Sequence, residues 1–234
     1  MVKSIGLKKV KTAVFISGTG SNLKNLIKFS LLKNSPIKIN LIISSNTKAK
    51  GLRFAKLFNI KKKTYNFKSK SVTEKIILRD LKINEINLVC LAGFMKILSK
   101  DFIKKFRGKI LNIHPSLLPK YKGLNTHERV IKNKEKYSGC TVHYVNSKLD
   151  AGKIILQKKV RVSKKDNPVS LKNNEKYSGC TVHYVNSKLD AGKIILQKKV
   201  KIYKNDTIKS VSKRILKQEH HLYPEALKRV ISNL

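Results

Sequence analysis

The sequence predicts an α/β fold: an open, twisted, mostly parallel sheet with helices on both faces. Three observations carry that reading. Short apolar runs of strand length alternate with stretches of helical periodicity from residue 12 to residue 114. A glycine-rich turn, Gly18-Thr19-Gly20, follows the first of those runs and opens a helix. The last run carries Asn112 and His114 two positions apart, immediately before Pro115. Strand-helix alternation needs right-handed crossovers, and a chain of 234 residues has room for one such Rossmann-like domain.

Residues 1–11 are basic and lack the apolar segment of a secretory signal, so they read as a short leader. Thr12 to Ser17 reads as a buried strand. The helix after the glycine turn carries Leu23, Leu26, Ile27 and Leu31 on one face. Its N-terminus, with Gly20, Ser21 and Asn22, offers backbone N–H groups to an anion. The turn is neither a P-loop nor a complete dinucleotide fingerprint, since the P-loop lysine and a third glycine are missing. A tight turn and a phosphate cradle both remain open at this point. A strand over Ile37 to Ser44, a helix over Ala49 to Phe58, a strand near Lys63 to Phe67 and a helix from Val72 to Leu81 follow. Leu88 to Ala92 is the next buried strand. Met95, Lys96, Ile97 and Leu98 lie past its carboxyl end, as core or as one wall of a ligand slot. Ser99 is placed to cap a short helix.

Lys109 to Pro119 is the centre of the chain. Ile110, Leu111 and Ile113 suit a buried strand, and Asn112 and His114 project from one face of it. Pro115 has no N–H to donate and ends the ladder. An amide and an imidazole thus meet at a strand's carboxyl end, where open α/β sheets bind ligands. Lys120 to His127 is a loop entering a short helix. Ser138 to Asn146, the turn Ser147 to Gly152 and Lys153 to Val162 form a β-hairpin with Asp150 at its connection.

Residues 175–200 then repeat residues 135–160 identically at an offset of 40, so that Asp190 duplicates Asp150. The duplicated segments run over 132–170 and 172–210. A solenoid needs at least three repeats, so this reads instead as a tandem duplication of one hairpin within a single domain, or as an error in the sequence, and one copy is expected to form an excursion. The chain ends in two predicted helices, Thr207 to Glu219 and Pro224 to Ile231.

The net charge is +40, yet of 53 basic residues seven are arginine and the other 46 lysine, spread over the whole chain. Base and phosphate readout favours arginine, so the charge is read as compositional bias, with no specific nucleic-acid partner. No apolar run reaches the roughly 18 residues of a membrane span, and a cytoplasmic protein is expected. The three cysteines form no C-x-x-C pair and suggest neither zinc nor disulfides.

These stretches together resemble the folate-dependent formyltransferases, and among them the glycinamide ribonucleotide formyltransferases. The resemblance rests on Ile16-Ser17-Gly18-Thr19-Gly20-Ser21-Asn22-Leu23, Leu91 to Leu98, Asn112 to Pro119, Leu149-Asp150-Ala151-Gly152 and Gln218-Glu219-His220. It implies the formyltransferase fold and transfer of formyl from 10-formyltetrahydrofolate to the amine of glycinamide ribonucleotide, in purine biosynthesis. It implies catalytic Asn112, His114 and Asp150 (alternatively Asp190), with no metal. Gly20, Ser21 and Asn22 would hold the substrate phosphate and Glu219 the ribose hydroxyls. Lys70, Met95, Lys96, Ile97, Leu98 and Asn112 would contact the folate, Lys70 standing where relatives often have arginine. Lys122 and Asn125 depart from the family's usual Pro and His. The expected partners are these two small molecules, with the protein a monomer or homodimer. Two other readings are a methionyl-tRNA formyltransferase, which shares the Asn-x-His core but appends a tRNA-binding domain, and a basic binding protein disabled by the duplicated hairpin.

Overall fold

The computed structural model describes residues 9–116, positions 118, 121, 123, 126, 128, 129 and 133, residues 140–145, the backbone of strands at 162–163, 175–184 and 194–201, and residues 208–232. Asp150 and Asp190 lie outside them, as do Lys122, Asn125 and the hairpin turns.

Strand β1 (Val10–Ile16) is followed by helix α1 (Ser21–Ser30), β2 (Ile37–Ser44), a single 3-10 turn (Lys50–Leu52) running into α2 (Arg53–Leu57), and β3 (Lys61–Thr64). Helix α3 (Lys70–Ile83), β4 (Leu88–Leu91), α4 (Lys100–Lys105) and β5 (Lys109–His114) complete the first half. Their pairing is parallel in the order β3-β2-β1-β4-β5. After β5 come β6 (Thr141–Tyr144), β7 (Val162–Ser163), β8 (Glu175–Tyr184), β9 (Ile194–Lys201) and helix α5 (Ile208–Ile231). β8 pairs antiparallel with β5, and with β9 and β7. The sheet is therefore mostly parallel with an antiparallel flank, and β8 with β9 forms the second copy of the predicted hairpin.

The alternation of side chains along each strand splits the core in two. Val14, Ile16, Ile42, Cys90, Leu111 and Ile113 meet α1, α2 and α5 on one face. Ala13, Phe15, Leu41, Ile43, Val89 and Ile110 meet α3 and α4 on the other. Each buried aliphatic side chain contributes about 1.5–3 kcal/mol, so both layers of helix are held by the strands' pleat. No helix among the described residues is long and apolar enough to cross a membrane.

Three expectations are corrected. β3 lies earlier than Lys63 to Phe67, because its lysines suit the exposed edge of the sheet while Tyr65 and Phe67 pack on the second core beyond it. The two terminal helices are one, continuous through Pro224. Proline cannot donate to the carbonyl four residues back, that of His220, and Asn25 Nδ2 of α1 donates to that carbonyl instead. The third concerns the cysteines. Cys140 is disulfide-bonded, its partner sulfur lying outside the described side chains, whereas Cys90 is a buried free thiol whose pKa burial pushes up to about 12.

Candidate active site

The glycine turn is tight for a steric reason. Gly20 sits at φ 74° as the N-cap of α1, and a Cβ there would stand 2.6 Å from the Cα of Gly51. Gly51 is held by its N–H to Gly18 O at 3.0 Å. Ser21 and Asn22 thus begin α1 with a bare first turn that contains no acidic residue. No side chain of that turn offsets the positive end of the helix dipole.

Asn22 is turned inward. Its Nδ2 donates to Glu219 Oε2 at 2.8 Å, and both residues are buried. Asn22 Oδ1 is buried and has no hydrogen-bond partner among the described residues, which leaves an acceptor available. Burial raises the pKa of Glu219; the Asn22 hydrogen bond and the nearby charge of His114 pull it back only in part. Glu219 thus lies near enough to His114 for their charges to interact.

At the carboxyl end of β5, Asn112 Nδ2 lies 3.0 Å from His143 Nε2. An amide N–H₂ only donates, so His143 Nε2 accepts and the ring is neutral there. His143 itself is wholly buried. His114 Nε2 donates to the carbonyl of Tyr121 at 2.9 Å, and Ser116 Oγ donates to the same oxygen at 3.4 Å. Tyr121 turns its carbonyl inward by adopting φ 55°. Thr141 fastens the loop after β5: its hydroxyl donates to Ser116 O at 2.6 Å and accepts from Leu118 N at 3.2 Å. Tyr223, fully buried on α5, reaches the carbonyls of Leu91 and Leu111 at 3.2 Å each, tying the ends of β4 and β5.

The segment after β4 is pinned beside β1. Gly93 takes φ 72°, Ser17 N donates to Gly93 O at 3.0 Å, and Met95 N donates to Ser17 Oγ at 2.8 Å. Ser17 Oγ also meets Ser45 Oγ at 2.6 Å. Met95 and Ile97 are 61% and 56% exposed while Leu98 is buried, so the first two form a surface rather than core. Lys70, by contrast, lines a cleft of about 330 Å³ between α3 and α4 with Glu74, Ser99 and Phe102; neither Asn112 nor His114 reaches it.

The structure thus brings together Asn112 and His114 at the end of β5, and Asn22 and Glu219 across α1 and α5. His143, Tyr121, Ser17 and Tyr223 were not anticipated. Of these, Tyr223 had the clearest signal, a large polar aromatic on the inner face of an amphipathic helix.

A family model described as "Formyl transferase" matches residues 10–175 and 168–227. The two matched segments overlap inside the duplicated region. The human trifunctional purine biosynthetic protein adenosine-3 is 46% identical over 167 residues, 70% of this chain and 16% of that protein. The chain thus spans less than a fifth of the trifunctional relatives. The phosphoribosylglycinamide formyltransferase of Haemophilus influenzae is 43% identical over 160 residues, 67% of this chain and 76% of its own length. Among solved structures, the phosphoribosylglycinamide formyltransferase of Anaplasma phagocytophilum superposes with a TM-score of 0.74 at 34% identity, over 97% of this chain and 88% of that one.

Proposed function

The chain belongs to the formyl transferase family, and we propose that it moves the formyl group of 10-formyltetrahydrofolate onto the primary amine of glycinamide ribonucleotide. The observation that carries the proposal is the pair at the end of β5: an amide held by His143 beside an imidazole held by the Tyr121 carbonyl.

The amine nitrogen attacks the formyl carbon and a C–N bond forms. The carbonyl electrons move onto oxygen, and the bond to the folate nitrogen then breaks. One proton leaves the amine and one reaches the folate nitrogen, so the step balances without a metal. Asn112 gives one N–H to His143 and turns the other toward the developing oxyanion. Protonated His114 adds positive charge there and serves as the proton donor. A carboxylate from the hairpin connection, Asp150 or Asp190, favours the imidazolium and orients it.

Gly20, Ser21 and Asn22 bind the phosphate through the start of α1, which the bare first turn favours. Glu219 and Asn22 Oδ1 accept from the ribose hydroxyls. Met95, Lys96, Ile97 and Leu98, with Asn112, line the folate, and Lys70, which lies apart in the cleft between α3 and α4, would meet only its far, acidic end, as a single charge rather than a fork. Both substrates are small molecules, and the work is cytoplasmic.

The test is formyl transfer with purified protein, scored on glycinamide ribonucleotide and on methionyl-tRNA in parallel. Formylation of the ribonucleotide that survives a chelator is the expected result. Formylation of the tRNA alone, or of neither acceptor, overturns the proposal.

A further inference from the structure

We infer that the edge of β5 away from β4 is a single docking site for which the two identical hairpins compete, either copy pairing there in the same register.

The observation is one of register. In the second copy, β8 lies antiparallel on β5 with Thr181 opposite His114, His183 opposite Asn112 and Tyr184 opposite Leu111. In the first copy, Val145 N donates to Ile110 O at 2.8 Å, and His143 Nε2 accepts from Asn112. Val145 is the counterpart of Val185 at the offset of 40. His183, opposite Asn112 in the β8 ladder, is the counterpart of His143 at the same offset. Both copies therefore address the same strand, on the same side, in the same register.

One edge cannot hold two such partners at once. β4 already occupies the other side of β5. A strand edge accepts one neighbour at about 4.8 Å, and each outward N–H of β5 donates once. Register is set by side-chain pattern, and these patterns are identical over 26 residues, 135–160 against 175–200. The intrinsic contacts of the two copies with β5 are then equal. Only their tethers distinguish them, and closure cost grows slowly with tether length. The two states thus lie close in free energy, and both are populated.

The proposal rests on the proposed reaction only for its activity readout; docking is measured separately. Proline at the position that donates to Ile110 removes that N–H and excludes the copy that bears it. Val145→Pro, Val185→Pro and the double variant are compared, in reductant so that the Cys140 disulfide is open. Formyl transfer and deuterium exchange of the peptide covering residues 109–114, a sequence that occurs once, are followed in each. Both single variants should keep kcat/KM within about twofold of the parent and keep the β5 amides protected. The double variant should lose both. If one single variant alone matches the double, a fixed copy occupies the edge and the inference is overturned. It is equally overturned if both singles lose protection, or if the double keeps it. Should no variant, parent included, transfer formyl, the exchange data still decide docking while the reaction assignment fails by itself.

Discussion

Asn112 and His143 meet at 3.0 Å between Nδ2 and Nε2, and that contact joins the end of β5 to β6. The amide is fixed by a strand that comes from 31 residues further along the chain. A side chain fixed in this way is set before substrate arrives, which is what a donor to a developing oxyanion requires. Replacing Asn112 with alanine is expected to lower kcat by at least about 10²-fold, and His114→Ala likewise, as for loss of an oxyanion donor or a general acid. The folate KM should change far less. Steady-state kinetics on both variants decide this, and an unchanged kcat in either removes that residue from the chemistry.

Much of the fold that carries these residues is legible in the sequence, because its signals are local. The run Ile37–Ser44 is bounded by Pro36 and by Asn46, and β2 has those limits. Ser99 accepts from Phe102 N at 3.0 Å, as a cap three residues ahead should. Asn112 and His114 share a face because strands alternate. What escaped is non-local. His143 looks like any residue of an alternating strand until β5 lies beside it. Ser17 matters because Met95, 78 residues on, docks its N–H there. Pro224 announces a helix break, and no local pattern shows that Asn25 takes over the orphaned carbonyl.

Glu219 gives a prediction about pH. Burial raises its folded-state pKa above the ordinary 4.5. Below pH 4.5 both folded and unfolded chains hold the proton, and the shift has no effect on stability. As pH rises, the unfolded chain releases its proton first, so stability falls until pH passes the folded pKa, and is level beyond it. Glu219→Gln lacks this slope. It should therefore be more stable than the parent at pH 7, and the gap should close toward pH 4.5 in urea titrations. The ribonucleotide KM should meanwhile rise about tenfold, the effect of losing a hydrogen bond to a charged acceptor. A gap that widens as pH falls contradicts the assignment.

Ser17 supports the segment proposed to line the folate, and not the reacting groups. Its hydroxyl accepts from Met95 N at 2.8 Å and meets Ser45 at 2.6 Å. Ser17→Ala removes a hydrogen bond of about 1 kcal/mol and lets the segment after β4 move. The expected result is a rise of about fivefold in KM for 10-formyltetrahydrofolate, with kcat changed by less than about twofold. A fall in kcat at constant KM would instead place Ser17 in the chemistry.

The last prediction separates a carboxylate's role from a hairpin's docking. Asp150 and Asp190 are duplicates, one on each hairpin connection. Asp150→Asn does not stop the first copy from docking; it only makes the docked first copy inactive. If the two copies share the β5 edge, this enzyme is a mixture of active and inactive forms, and kcat falls by the first copy's share of the population. For equal shares that is about half, and Asp190→Asn loses the remainder. The double Asn variant should lose at least about 10²-fold. Adding Val145→Pro to Asp150→Asn should then restore activity, because the impaired copy is kept off the edge and the intact one takes it. Adding Val185→Pro to Asp150→Asn should do the reverse and abolish activity. A second mutation that rescues the first is hard to obtain by general destabilisation, so this crossed set tests occupancy rather than folding. Absence of rescue, with Asp150→Asn already inactive alone, would assign the site to the first copy only; full activity in the double Asn variant would remove both carboxylates from the mechanism.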